Sequence, residues 1–153
     1  MRVQIKEINK DQHIIIRSIC EEKVYGYWTY FWHELTSGYA YVVPYEQSLD
    51  KLIPGCVISV ETSQSSIEGF RRLKSTEETG IFRPQPKLGD YWIQGTIHQV
   101  MQGEAGEIEC LEIIVGDTTF ILDSEEMNGD VNVKAGDGVA FEIIGLQLFD
   151  EGL

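Results

Sequence analysis

The sequence predicts an all-β protein, its antiparallel strands closing into small barrels or stacking as a sandwich, with one short helical turn near residues 46–53. Apolar residues recur mostly at every second position or in short β-branched runs, which is the spacing of strands. Gly and Pro, 15 and 4 of the 153 residues, interrupt the pattern at hairpin-like intervals. A chain of 153 residues buries roughly two-thirds of its unfolded surface, so its core needs neither metal nor disulfide.

The elements follow in order. Val3, Ile5 and Ile8, separated by polar residues, give a first strand, and residues 9–12 a turn into a second over 14–20. Residues 21–23 form a charged corner before a long aromatic strand, 24–35, which Thr36-Ser37-Gly38 turns into 39–43. Pro44 lacks the donor a ladder needs and ends that strand. Residues 46–53 then place Leu49, Leu52 and Ile53 on one side of the helical turn, and 57–60 is the next strand. Residues 74–89 break every periodic pattern and read as a linker between an N-terminal β subdomain (1–73) and an acidic C-terminal one (90–153), two units able to pack as one. In the second unit the strands are 91–101, 107–115, 118–122 and 138–144, the last continuing past Gly145 to Phe149. Hairpin turns fall at 103–106 and 115–117, where Gly takes the positive φ that β-branched residues avoid.

The two halves echo each other. Gly55-Cys56-Val57-Ile58-Ser59-Val60-Glu61 lies over Gly136-Asp137-Gly138-Val139-Ala140-Phe141-Glu142, and upstream Tyr41–Glu46 lies over Phe120–Glu125. A duplication accounts for this, and so does the patterning common to all hairpins; the sequence leaves both open. The run from Gly95-Thr96-Ile97 through a turn and a strand pair to Gly136–Phe141 resembles the strand grammar of small oligonucleotide/oligosaccharide-binding (OB) barrels, over residues 90–149 at most. The resemblance implies a small barrel, or two similar OB-like halves.

Charge is lopsided. Of the formal −13, all arises from Asp90 onward, where fourteen carboxylates face Lys134 alone; residues 1–89 carry eleven acids and eleven bases. Such a field repels nucleic acid and anionic membrane and attracts cations. Glu107, Glu109 and Glu112 fall on one strand, Glu104 in the turn before it, and Asp123, Glu125, Glu126 and Asp130 in a following loop, making these eight the candidate docking residues for a basic protein. The loop lacks the order of an EF-hand, so no metal is expected there. Arg71, Arg72, Lys74, Arg83 and Lys87 form a basic cluster expected to pair with the acidic half.

A second candidate surface is aromatic. In the strand Tyr25-Gly26-Tyr27-Trp28-Thr29-Tyr30-Phe31-Trp32-His33, alternation sends Tyr25, Tyr27, Phe31 and His33 to one face and Trp28, Tyr30 and Trp32 to the other. Trp28, Tyr30, Trp32 and Trp92 are the candidate platform for a stacked ligand, against the alternative that the strand is central and buried on both sides. His13, His33 and His98 are never within metal-ligand spacing and read as structural, and Cys20, Cys56 and Cys110 as buried, reduced thiols. The sequence holds no nucleophile elbow, P-loop, dinucleotide fingerprint or zinc motif, so neither enzyme activity nor a cofactor is expected.

In composition the chain is similar to the immunity proteins that bacteria pair with secreted toxins: small, strongly acidic and without catalytic motifs. That similarity carries no residue across. It implies a non-catalytic inhibitor of a basic toxin domain, acting in the cytoplasm, consistent with the lack of any apolar run of signal-peptide or membrane-spanning length. The alternative is an OB-like module that stacks a sugar, nucleotide or single-stranded nucleic acid on Tyr30, Trp32 and Trp92.

Overall fold

Alternating sequence becomes alternating structure: nine strands and two lone 3-10 turns make up the regular elements of the described residues. The computed structural model describes residues 1–17, 22–82, 88–130 and 132–153. The strands are β1 (Arg2–Arg17), β2 (Lys23–His33), β3 (Thr36–Val43), β4 (Val57–Arg72), β5 (Gly80–Phe82), β6 (Tyr91–Gln102), β7 (Ile108–Val115), β8 (Thr118–Asp123) and β9 (Gly138–Asp150). They lie in the order β3-β2-β1-β4-β9-β6-β7-β8, with β5 beside β6. A parallel pairing of β3 residues Tyr41–Val43 with β9 residues Gln147–Phe149 closes β1, β2, β3, β9 and β4 into a five-stranded barrel.

That order is a palindrome when β6, β7, β8 and β9 are matched to β1, β2, β3 and β4. Two like meanders meet along the antiparallel β4–β9 ladder. Their details agree. Gly55 N donates to Ile5 O (2.7 Å) and Ile5 N to Cys56 O (2.9 Å); Gly136 N donates to Ile97 O (2.8 Å) and Ile97 N to Asp137 O (2.9 Å). Gly55 and Gly136 both hold φ at 94°, a conformation that favours glycine at these strand entries. Each first hairpin has a bulge just after its buried isoleucine, Ile5 or Ile97. The second hairpins turn through two residues, Glu34-Leu35 and Gly116-Asp117. The Gly55 and Gly136 blocks of the sequence echo therefore occupy equivalent places. The upstream echo matches at the 3-10 turns, Tyr45–Gln47 and Ser124–Glu126. Its strand register differs, because Trp28 pairs Tyr41 whereas Cys110 pairs Asp123, so Asp123 and not Phe120 is the counterpart of Tyr41.

The units differ at one seam. Where β3 joins β9 by backbone, the counterpart β8 reaches β4 through side chains: Thr62 Oγ1 donates to Thr119 O (2.7 Å) and Gln64 Nε2 to Ile121 O (3.4 Å). One continuous core fills both units, from Val3, Ile5, Phe31 and Val42 through Leu148 to Ile97, Leu111, Ile113, Phe120 and Phe141. At Gly145, φ of 66° resets the alternation of β9. Residues 139, 141 and 143 and then 146 and 148 consequently all bury. Gly95 is fixed by close approach: a Cβ there would lie 2.8 Å from Ile113 Cγ2 and from Val115 Cγ2 and 2.9 Å from Ile114 O. Gly95→Ala is expected to cost about 1–3 kcal/mol by overpacking, read from a denaturant midpoint that falls at constant slope.

Several local expectations are corrected. Residues 9–12 do not reverse the chain. Asn9 Oδ1 accepts from Asp11 N (3.0 Å), and a bulge between Asn9 and His13 keeps β1 one strand of 16 residues; residues 18–20 of the expected second strand lie outside the described residues. The turn after β2 is Glu34-Leu35, and Thr36-Ser37-Gly38 belongs to β3. The helical turn shortens to Tyr45–Gln47, where Glu46 and Gln47 have φ of 51° and 58°. Gln47 is drawn there by its side chain, whose Oε1 accepts from Tyr25 N (2.7 Å) and whose Nε2 donates to Tyr25 O (3.3 Å). Leu52 of that segment is buried and Ile53 exposed. Strand β4 runs twelve residues past the expected 60, to Arg72, because its polar stretch pairs with β9. Within 74–89, Gly80–Phe82 pairs with β6 and 83–87 lie outside the described residues. Cys56 and Cys110 are half-buried free thiols, not fully buried ones, and Cys20 lies outside the described residues.

Candidate functional site

The fold sorts the candidate acids into two places. At one end of the second unit, the 103–107 turn between β6 and β7 comes up against the loop after β8, and Glu107, Ser124 and Asp130 line a shallow cleft of about 230 Å³ between them. The Glu107 and Glu109 carboxylates both lie over Gly103. A glutamate with no cation in reach is found at 104, 107, 109 and 125 among the described residues. The other three acids here are engaged internally. Asp123 and Glu126 form a reciprocal cap in which Asp123 N donates to Glu126 Oε1 (2.9 Å). Burial pushes the Glu126 carboxyl above its ordinary pKa despite that bond. Asp130 takes a two-pronged bond from Arg72, Nε to Oδ2 at 2.7 Å and Nη2 to Oδ1 at 3.0 Å.

Arg72 also reaches Asp137 at 3.6 Å, so part of the basic cluster does pair with the acidic half. Arg71 instead holds Glu77 of its own segment at 2.7 and 2.8 Å, and Arg83 and Lys87 lie outside the described residues. The Arg72 hydrogen bond, aided by Asn132 N, keeps the Asp130 carboxyl below its ordinary range. A carboxylate depressed in the folded state stabilises above its unfolded pKa and loses that contribution as pH falls through the folded one. The melting temperature of Arg72→Ala is therefore expected to lie below wild type at neutral pH, the gap closing as the solution is acidified below the carboxylate range.

Glu112 belongs elsewhere. It faces a cleft of about 440 Å³ at the β4–β8 seam, together with Met1, Glu61, Asp117, Ile121 and Glu151. No sequence window contains this set, since the acids are assembled by β4, β7, the β7–β8 turn and the tail after β9. Asp117 touches the tip of the other unit: His33 Nε2 lies 2.9 Å from its Oδ1, with the His33 side chain 1% exposed. Burial would raise the Asp117 carboxyl, but its bond and charge interaction with His33, the Thr118 hydroxyl and the charge of the N-terminal amine hold it below the ordinary value. His33, Glu34 and Asp117 stand close enough to share an ion. However, His33 Nδ1 accepts from Leu35 N (3.2 Å), so the ring proton sits on Nε2, where a metal would need a lone pair. The chemistry of this trio is that of a histidine Nε2–H donating to a carboxylate. His98 lies 3.9 Å from Glu112. The half-buried Cys110 thiol, 3.4 Å from Met101 Sδ, is pushed up in pKa by burial and by Asp123, Glu109 and Glu112, which suppresses the reactive thiolate.

The aromatic strand is inner on one face and outer on the other. Phe31 is wholly buried with Thr29, while Tyr25 stands 44% exposed because its end of β2 continues beyond the barrel. On the outer face Trp28 stacks on Tyr39 (centroids 5.3 Å apart, planes 12°) and tilts against Tyr41 (4.8 Å), and Tyr30 meets Tyr39 (5.1 Å). Trp32 is 50% exposed, with Lys6 Nζ 3.7 Å from its ring centre. Trp92 does not join them: it donates to Gln94 Oε1 (2.8 Å) and lies under Arg71 on β6. Tyr39 and Tyr41 complete the face and were missed in the sequence, although their i, i+2 spacing after a tight turn sets them opposite Tyr30 and Trp28.

Compared with protein-family models, with curated proteins and with solved structures, the chain matches none. Among the described residues no helix is long and apolar enough to cross a membrane.

Proposed function

We propose that this chain is a non-catalytic acidic binding protein that docks on and neutralises a basic protein partner, as an immunity protein does its toxin. The observation that carries this reading is the end of the second unit where Glu104, Glu107, Glu109 and Glu125 stand without a cation of their own among the described residues. Like charges crowded beside one cleft oppose folding slightly, and a cationic partner relieves that repulsion. Among the described residues Arg71 and Arg72 do not, because they are engaged with Glu77, Asp130 and Asp137. Affinity capture from a lysate of the source organism tests this, with the wild-type chain and a Glu104→Lys, Glu107→Lys, Glu109→Lys variant as baits. A strongly basic protein held by the first and lost by the second is expected; equal capture by both would refute this choice of surface.

A second reading has its own support. At the positions that match Trp28, Tyr30, Trp32, Tyr39 and Tyr41, the second unit carries Cys110, Glu112, Ile114, Ile121 and Asp123, so the fold does not itself demand aromatics there. The closed barrel resembles the OB kind, whose second and third strands present ligand. Gln147, buried beside Tyr41 in the β3–β9 ladder, has a carboxamide without a hydrogen-bond partner among the described residues. In this reading the face stacks a sugar or nucleotide; single-stranded nucleic acid is disfavoured by the charge of −13. Tryptophan fluorescence titrated with an oligosaccharide panel should saturate for wild type and weaken by about tenfold or more in Trp32→Ala; a flat response across the panel removes the sugar version.

A further inference from the structure

The outer face of β2 and β3 continues onto β9, and there it changes from aromatic to polar. Trp28 on β2 pairs with Tyr41 on β3, Tyr41 with Gln147 on β9, and Gln147 with Ser63 on β4, so these four form one row across the barrel. Leu146 and Leu148 enter the core, and alternation turns Gln147 to the side of Tyr41. Gln147 is only 7% exposed, yet its carboxamide bonds no group among the described residues. Asp90 arrives beside this row from the start of β6. Tyr91 enters the core and Asp90 takes the opposite side, 6% exposed. Its Oδ1 accepts from Gly145 N at 3.1 Å, two residues before Gln147, and its Oδ2 has no partner among the described residues. Gly89 seats this segment against the rings, since a Cβ there would lie 3.2 Å from Trp28 Cη2. Buried polar side chains are nearly always bonded, so a carboxamide and a carboxylate oxygen that both lack a partner beside aromatic rings call for one from outside the chain.

We infer that this face holds a neutral glycan: a pyranose ring rests its C–H surface on Tyr41 and Trp28, and its hydroxyls bond the Gln147 carboxamide and Asp90 Oδ2. The inference rests on the stacking reading above and names its ligand class. Hydroxyls both donate and accept, which suits an amide that offers both and a carboxylate that only accepts. The C–H surface of a sugar suits the electron-rich faces of the rings. A phosphate would meet Asp90 and a formal net charge of −13, so a nucleotide is disfavoured. From Trp28 to the half-exposed Trp32, β2 runs about 13 Å, long enough for more than one sugar ring.

The test titrates the full chain with cellohexaose, xylohexaose, mannohexaose and chitohexaose, and with adenosine, guanosine and AMP, reading tryptophan fluorescence and calorimetric heat. At least one hexasaccharide is expected to saturate, and the nucleosides and AMP to leave both signals flat. Gln147→Met, alike in length but without the amide, should weaken that glycan by about tenfold or more while its melting temperature stays level or rises, because an unbonded buried amide opposes folding. A glutamine with a merely structural role would do the reverse, losing stability and leaving affinity unchanged. Asp90→Asn, which keeps an acceptor for Gly145 N, should weaken binding by about threefold or more. Glu104→Gln with Glu107→Gln, at the acidic end, should change it by less than about twofold. Glycan binding that is lost in Trp28→Ala but unchanged in Gln147→Met and Asp90→Asn would overturn the inference and leave the stacking reading standing, as would binding of adenosine, guanosine or AMP alone. No response to any probe would overturn both.

Discussion

Phe31→Ala is expected to destabilise the entire chain by about 3–5 kcal/mol and Ile113→Ala by about 2–5 kcal/mol, each a large part of the total for a domain of this size. Both side chains are wholly buried, and they occupy matching places in the two hairpins. Each loss combines the transfer free energy of the removed carbons with the cavity left in a strand lattice that cannot collapse around it. The loss should not remain local. Strand β9 pairs with β3 and β4 through residues 146–150 and with β4 and β6 through 138–143, so neither unit keeps its ladder if the other melts. Far-UV circular dichroism and tryptophan fluorescence should give one shared midpoint in denaturant for both variants. Two separated transitions, with Ile113→Ala moving only one, would show the units to be independent.

The second large effect is on association. The triple variant Glu104→Lys, Glu107→Lys, Glu109→Lys changes three −1 charges to +1 and so takes the formal net charge from −13 to −7, with the whole change at one end. Steered encounter between opposite charges accelerates association by about 10- to 1,000-fold at low salt. The captured partner should therefore bind the variant more slowly by about that factor, with a smaller change in dissociation, because charges at an interface rim act mainly on the encounter. Asp130→Asn should instead lower stability and leave association nearly unchanged, since Asp130 already has Arg72 as its counter-ion. The distinction between paired and unpaired carboxylates is the part of the reading that net charge alone does not contain.

The strands were legible wherever one face is buried. Tyr91, Ile93 and Ile97 on β6 and Leu111, Ile113 and Val115 on β7 alternate with exposed or half-buried residues. Alternation failed where a strand has few apolar neighbours. The polar run from Glu61 to Ser66 in β4 is a strand because β9 lies beside it, and pairing leaves no trace in side-chain pattern. Turn chemistry misled at Thr36-Ser37-Gly38, where Gly38 lies within β3, paired with the fully buried Phe31, and takes no part in the turn. The echo between the halves was visible at Gly55 and Gly136 because both need the same positive φ. It was blurred upstream, where one unit replaces outward aromatics by glutamate, isoleucine and aspartate. Of the candidate surfaces, the acidic end was readable because its residues are close in sequence. The seam cleft was not, because Glu61, Glu112, Asp117 and Glu151 meet only once β4, β7 and β8 have packed.

The most direct test of the electrostatic docking face is the association rate constant of the captured partner with the wild-type chain and with the triple variant, measured by stopped-flow from about 50 to 500 mM salt. A steep fall for wild type that converges at high salt on a slow, nearly flat line for the variant is the predicted result. Parallel lines of similar height would contradict it, for they would mean that Glu104, Glu107 and Glu109 play no part in drawing the partner in.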